Sequence, residues 1–261
     1  MPYASVNDIK LYYEVHGTGE PLLLIHGLGS STKDWELQVP VFSRTYQVVT
    51  VDVRGHGRST KPKGPYSVPQ FAADIAAFIN QVIAAPVNVV GISMGGMIGL
   101  QLAVDYPQLL QKLVVVNAIP ALQPTSWRDW VQFWRRMVII RLLGMRRMGA
   151  FLAQQLFPEP HQHELQETIK SRWAENDKHA YLAAYRALVG WSVQDHLPGV
   201  TVPTLVIAAD QDYWPVSAKE AAFAAMPSAR LLVVSNSRHA TPVDQPERFN
   251  TAVLSFLQEN G

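Results

Sequence analysis

An α/β fold, with a mostly parallel sheet covered by helices on both faces, is predicted by three observations. Short continuous apolar runs recur along the chain, as expected of strands buried on both faces. Helix-like stretches alternate with them, which is the rhythm of parallel strands joined by crossover helices. One long segment, 118–199, breaks the alternation and carries only helical patterns, predicting an all-helical insertion. With 261 residues and 48% hydrophobic content, the chain can bury one substantial core plus that insertion.

The elements follow in order. Tyr3–Val6 and Ile9–His16 read as an antiparallel pair around a turn at Asn7-Asp8. Leu22–Ile25 is a buried strand, a polar helix is expected over about Lys33–Ser43, and Gln47–Val51 is a second buried strand. After the Gly/Pro-rich loop Arg54–Pro65, Ser67 is placed to cap a helix running to about Ala84, with Pro69 tolerated in its first turn. Val87–Ile92, a helix over Gly95–Tyr106, Leu113–Val116, Thr204–Ala208 and Leu231–Val234 continue the alternation, and Gln245–Gln258 closes the chain as a helix. Inside the insertion, helical segments are expected near Ser126–Leu143, Met145–Leu156, Gln162–Glu175 and Lys178–Trp191. The division is therefore a core of 1–117 and 200–261 and a helical cap of 118–199.

Bulk properties exclude several functions. A formal net charge of +1 gives no global field toward nucleic acid or an acidic partner. No cysteine is present, which removes disulfides, thiol catalysis and thiolate metal sites and fits a reducing compartment. The first ten residues lack the basic and apolar regions of a secretory signal, and no apolar run is long enough to span a bilayer. A soluble, cytoplasmic protein is expected; oligomeric state is not legible.

The chemistry centres on Gly91-Ile92-Ser93-Met94-Gly95, set between an apolar strand and a helix. A serine hydroxyl is a weak nucleophile and must be exposed, oriented and deprotonated by a neighbour. A sharp strand-to-helix turn exposes it and leaves room only for glycine two residues to either side. The base is assigned to His239, in the loop past Leu231–Val234, because parallel strand ends converge on the ligand side of a sheet. The orienting acid is assigned to Asp212, beyond Thr204–Ala208, with Asp210 as the competitor in the same turn. Oxyanion donors are expected from the Met94 N–H, next to the nucleophile, and the Leu28 N–H, in the glycine-bracketed loop His26-Gly27-Leu28-Gly29. His26 is read as bracing that loop. Serine chemistry of this kind requires no cofactor and no metal, and His161, His163, Glu164 and His179 lie in a polar, surface-like stretch.

The segments LLLIHGLG, VDVRGHGRS, NVVGISMGGMIGLQLAVDYP, TLVIAADQDYWP and SRHATPVDQPERF resemble those of α/β-hydrolase-fold enzymes over nearly the full length. The order Ser93, Asp212, His239 is that family's triad order. The resemblance implies an eight-stranded sheet, a cap after the sixth strand, the triad and oxyanion roles given above, and a structural role for His56. Two positions depart from it: Arg238 and Ala209 stand where the family usually has glycine. A serine at the elbow argues against aspartyl-nucleophile dehalogenase or epoxide hydrolase chemistry.

The cap is locally basic and aromatic. Trp130, Trp134, Met137 and Arg141 share one helical face. Three readings are open: aromatics packed on the core beneath solvated arginines, an aromatic acyl pocket, or a membrane-surface or anionic-ligand patch. Trp130, Trp134 and Trp214 are the candidate substrate contacts. A carboxylic ester hydrolase acting on a small-molecule hydrophobic ester is expected. The alternatives are hydrolysis of a lactone or carbon–carbon bond (the GISMGGMIG segment resembles enol-lactonases), perhydrolysis, or a receptor-like binding role.

Overall fold

A computed structural model describes residues 3–259. Eight strands form one sheet in the order β1-β2-β4-β3-β5-β6-β7-β8. They are β1 (Tyr3–Val6), β2 (Ile9–His16), β3 (Glu20–Ile25), β4 (Tyr46–Val51), β5 (Val87–Ile92), β6 (Leu110–Val116), β7 (Thr204–Ala209) and β8 (Ala229–Val234). β1–β2 and β2–β4 pair antiparallel; every other pairing is parallel. The helices are α1 (Val39–Phe42), α2 (Val68–Phe78), α3 (Met94–Asp105), α4 (Trp127–Leu156), α5 (His163–Ala174), α6 (Lys178–Leu188), α7 (Val216–Phe223), α8 (Thr241–Asp244) and α9 (Pro246–Gln258).

The strands are continuous apolar runs because both faces are covered. Leu23 and Ile25 of β3 join a core with Phe71 and Ile75 of α2 and Ile98 and Leu102 of α3. Leu22 and Leu24, pointing the other way, pack with Phe42 of α1 and Phe249 and Val253 of α9. A third cluster, including Phe133, Met137, Ile140, Trp173 and Tyr181, lies within α4–α6, between β6 and β7 in sequence.

Three local expectations are corrected. The helix over Lys33–Ser43 is broken into a 3₁₀ turn, Thr32–Trp35, and α1, because Pro40 lacks an N–H and cannot continue a preceding helix. The helix capped by Ser67, whose side chain accepts from the Gln70 N–H, changes at Phe78 into a π-helical turn, Ile79–Ile83. The 118–199 segment is not purely helical, since Ala121 and Ser192 form one antiparallel bridge. α4 joins the two segments expected on either side of Gly144, which breaks the helix with φ 77° and ψ 178°. No helix among the described residues is long and apolar enough to cross a membrane.

Candidate active site

Parallel strands deliver their carboxyl-terminal ends to one side of the sheet, and the loops there carry every predicted reactive group. Ser93 follows β5 with φ 53° and ψ −115°, outside the regions a non-glycine residue ordinarily occupies. The turn is held because the Ser93 N–H donates to the Val116 carbonyl (2.8 Å) and its own carbonyl accepts from the Met97 N–H (3.0 Å). A Cβ on Gly91 would sit 2.2 Å from the Gly95 carbonyl oxygen, and one on Gly95 would sit 2.1 Å from that of Ile25. Both positions therefore require glycine, for close backbone approach. Met94 begins α3, so its amide is among the first-turn donors left without an intrahelical acceptor.

Asp212 and His239 meet across the β7 and β8 loops. His239 Nδ1 lies 2.6 Å from Asp212 Oδ1. An ionised carboxylate only accepts, so Nδ1 carries the hydrogen and Nε2 is left as the basic nitrogen. The face of Tyr213 lies 4.3 Å from the His239 ring, centre to centre. Asp210 is engaged elsewhere: its carboxylate accepts from the backbone N–H groups of Asn236 (3.0 Å) and Ser237 (3.1 Å), tying the two loops together.

Two groups not singled out in the sequence complete this region. Lys219 on α7, fully buried, has its Nζ 2.5 Å from Asp212 Oδ2 and donates to Asn117 Oδ1 at 3.0 Å. Asn117 also accepts from the Ala209 N–H (2.8 Å) and donates to the His239 carbonyl (3.0 Å) and Thr241 Oγ1 (2.8 Å). It thus links the ends of β6 and β7 to the histidine loop. Its sequence signal was a lone amide just after the apolar run Leu113–Val116; Lys219 in a short helix had none. Burial works to raise the Asp212 pKa, but the hydrogen bond and charge of His239 and the charge of Lys219 outweigh it and hold the carboxyl below its ordinary value. Burial lowers the Lys219 pKa, and the Asp212 charge only partly offsets this.

The remaining loop histidines are braces. His26 Nδ1 donates to the Gly27 carbonyl (2.7 Å), and its Nε2 accepts from the Val53 N–H (3.0 Å), so both ring nitrogens are occupied. Burial pushes its pKa down to about 4. His56, also buried, is 3.0 Å from the Arg54 carbonyl. Neither Ala209 nor Arg238 takes a positive φ, so the side chains replacing glycine there introduce no backbone strain. The Arg238 N–H donates to Asp244 (2.6 Å). Among the described residues, no group of three His, Asp or Glu side chains could hold a metal ion.

Ser93, His239, Leu28 and Trp214 open onto one cavity of about 650 Å³, roofed by α4 and α6. Trp130 and Trp134, expected in its lining, are outside it. They are 45% and 53% exposed, and Trp127 is 71% exposed. α4 instead turns Phe133, Arg136 and Ile139 toward the cavity and buries Phe133, Met137 and Ile140 in its own cluster. The expectation of aromatics packed on the core beneath solvated arginines fits Phe133 and the exposed Arg128, Arg135, Arg141, Arg146 and Arg147, but Trp127, Trp130 and Trp134 face out and Arg136 faces in. The helix is apolar on more than one side, and the side that packs against α5 and α6 carries Phe133, Met137 and Ile140.

A family model described as alpha/beta hydrolase fold matches residues 20–246. A relative in Azorhizobium caulinodans, named "Putative carbamate hydrolase RutD", is 30% identical, covering 99% of each chain. The solved enol-lactonase of Burkholderia xenovorans LB400 superposes with a TM-score of 0.90 at 26% identity, over 99% of this chain and 100% of that one. A thermophilic esterase from Thermogutta terrifontis gives a TM-score of 0.84 at 26% identity, over 96% and 93%.

Proposed function

We propose a function from one premise: the chain belongs to the alpha/beta hydrolase fold family. It is a hydrolase, and our reading is a serine-dependent carboxylic ester hydrolase acting through an acyl-enzyme on a small to medium hydrophobic ester. The observation that carries the reading is the 2.6 Å contact between His239 Nδ1 and Asp212, in a histidine that shares its cavity with a strained elbow serine.

In this mechanism His239 Nε2 takes the proton from Ser93 Oγ as that oxygen attacks the ester carbonyl. Asp212 orients the imidazole and stabilises its cationic form. Lys219 keeps Asp212 ionised. The Leu28 and Met94 amides donate to the oxyanion. His239 then gives its proton to the departing alcohol, leaving an acyl-serine. Water, deprotonated by His239, attacks that ester; the proton returns to Ser93 and the carboxylic acid leaves. Residues 118–199 act as a cap over a core formed by 1–117 and 200–261. Its apolar lining, with Phe133, Ile139, Leu152 and Trp214, suits an apolar acyl chain. A cytoplasmic location is proposed with it, on the fit of a cysteine-free chain to a reducing compartment.

A lactone is the second reading, favoured by the likeness to an enol-lactonase; the same steps open it, with the leaving oxygen still tethered. Steady-state hydrolysis of p-nitrophenyl esters of increasing acyl length, beside a γ-lactone series, tests both. Multiple turnover is expected, and Ser93→Ala lowers kcat by on the order of 10⁴ or more. Activity surviving in the purified variant would overturn the nucleophile. Faster lactone turnover would favour the second reading. Ligand binding without turnover would point to a receptor-like role.

A further inference from the structure

Arg54, buried, and Arg136, half-buried, both turn toward the interior, and they are treated differently. Arg54, 2% exposed, is held by two carboxylates: Nε lies 2.6 Å from Asp74 and a terminal nitrogen 2.6 Å from Asp8. Arg136 on α4 lines the cavity that contains Ser93 and His239, and it has no ion pair among the described residues. Its guanidinium sits among aromatic rings, 4.7 Å from the centre of Tyr185, 5.7 Å from Tyr181 and 5.9 Å from Trp173. One terminal nitrogen donates to the Tyr181 hydroxyl, while Nε is buried with no partner. Asp129 is a carboxylate in the same lining, but it stands seven residues earlier on the helix, about 10 Å away along its axis. It is also engaged, accepting from the N–H groups of Ser126 (2.9 Å) and Thr125 (3.1 Å) at the helix start.

A desolvated cation is costly unless an anion and full hydrogen bonding compensate it. Ring faces return only part of that cost. The deficit is located in the wall of the reaction cavity, where a ligand can make it up. We infer that Arg136 is an anion subsite, and that the substrate of this site carries a carboxylate on the acyl side or beside it, at the end remote from the bond that Ser93 attacks. The guanidinium fork can pair with either a carboxylate or a phosphate, but its single charge balances a carboxylate and leaves a doubly charged phosphate half neutralised. The inference rests on the hydrolase reading for the word substrate; the anion subsite itself does not. It also accounts for a guanidinium without a carboxylate in the cavity lining: the aromatic cage holds it in place, and its charge remains for the ligand.

The test uses two p-nitrophenyl esters of equal acyl length, the hydrogen glutarate and the valerate, with wild type, Arg136→Met and Arg136→Lys. The quantity read is the ratio of kcat/KM, anionic over neutral, which cancels any general loss of active protein. The ratio is expected to fall about 10- to 100-fold in Arg136→Met, the range of a charge-assisted hydrogen bond. Arg136→Lys, which keeps the charge without the fork, is expected to lie between, and it serves alone if the methionine variant does not fold. In parallel, calorimetry with glutarate reads the subsite without chemistry, in both Ser93→Ala and wild-type protein. If neither ester turns over, glutarate binding that is lost in the arginine variants still supports the subsite while the ester reading fails. A ratio unchanged within about threefold, or no arginine-dependent glutarate binding when the esters are inert, would overturn it.

Discussion

The loops at the strand ends and the helix α4 face each other across one cavity, yet they are built on opposite terms. The loops bury polar groups and pair nearly all of them: Asn117, Lys219, Asp212, His239 and His26 each answer to named partners at hydrogen-bonding distance. α4 does the reverse. It leaves eight of the fourteen large apolar side chains that stand exposed among the described residues, from Trp127 to Phe151, and it turns a half-buried arginine into the cavity without a carboxylate partner. On the proposed mechanism, the difference follows from the tasks. Reacting atoms need geometry fixed before substrate arrives, so every polar neighbour is constrained. The roof's inner face has only to receive the acyl chain and its proposed carboxylate, and its outer face is free of that constraint.

The sharpest way to break this comparison is at Lys219. Lys219→Met removes the cation 2.5 Å from Asp212 and leaves a buried carboxylate with one partner. A loss of about 3–5 kcal/mol is expected, read from the urea midpoint. A loss below about 0.5 kcal/mol would mean that the loops are as permissive as α4.

A second probe sharpens the same point through pH. Burial, aided by the neighbouring His26, pushes the His56 pKa down to about 3 from an ordinary 6.5. The unfolded chain takes up a proton at this histidine below pH 6.5 and the folded chain does not until about pH 3. Its contribution to stability is therefore full above pH 6.5 and declines as pH falls through that window. Between pH 7 and 5, wild type should lose about 2 kcal/mol relative to His56→Gln. Parallel stability profiles for the two proteins would show that His56 is not held neutral by burial.

The smallest effect is predicted on the outer face of the roof. Trp134→Ser, at a half-exposed position outside the cavity, should change stability by less than about 0.5 kcal/mol and leave ester kcat/KM within about twofold. A larger change in either would put α4 under the same constraint as the loops.

Much of the sheet was legible because parallel strands covered on both faces leave a simple trace, an uninterrupted apolar run. β1, β2 and β5 have the bounds their sequences suggest, and β6 differs only in starting at Leu110. The elbow was legible for a stronger reason: Gly91 and Gly95 answer to backbone oxygens that any Cβ would strike. The roof was not. Trp127, Val131, Trp134 and Val138 form one apolar stripe of α4 and Phe133, Met137 and Ile140 another. A helix apolar on two sides carries no local information about which side turns inward.

The sequence by itself determined the fold class and the strand–turn–helix elbow at Ser93, because backbone sterics and apolar periodicity act over a few neighbouring positions. Only the tertiary structure decided which of two aspartates meets His239, that Lys219 closes on the same carboxylate, and that Arg136 rather than Trp130 or Trp134 faces the cavity. Those outcomes depend on packing between segments as far apart as Asn117 and Lys219, which no local pattern encodes.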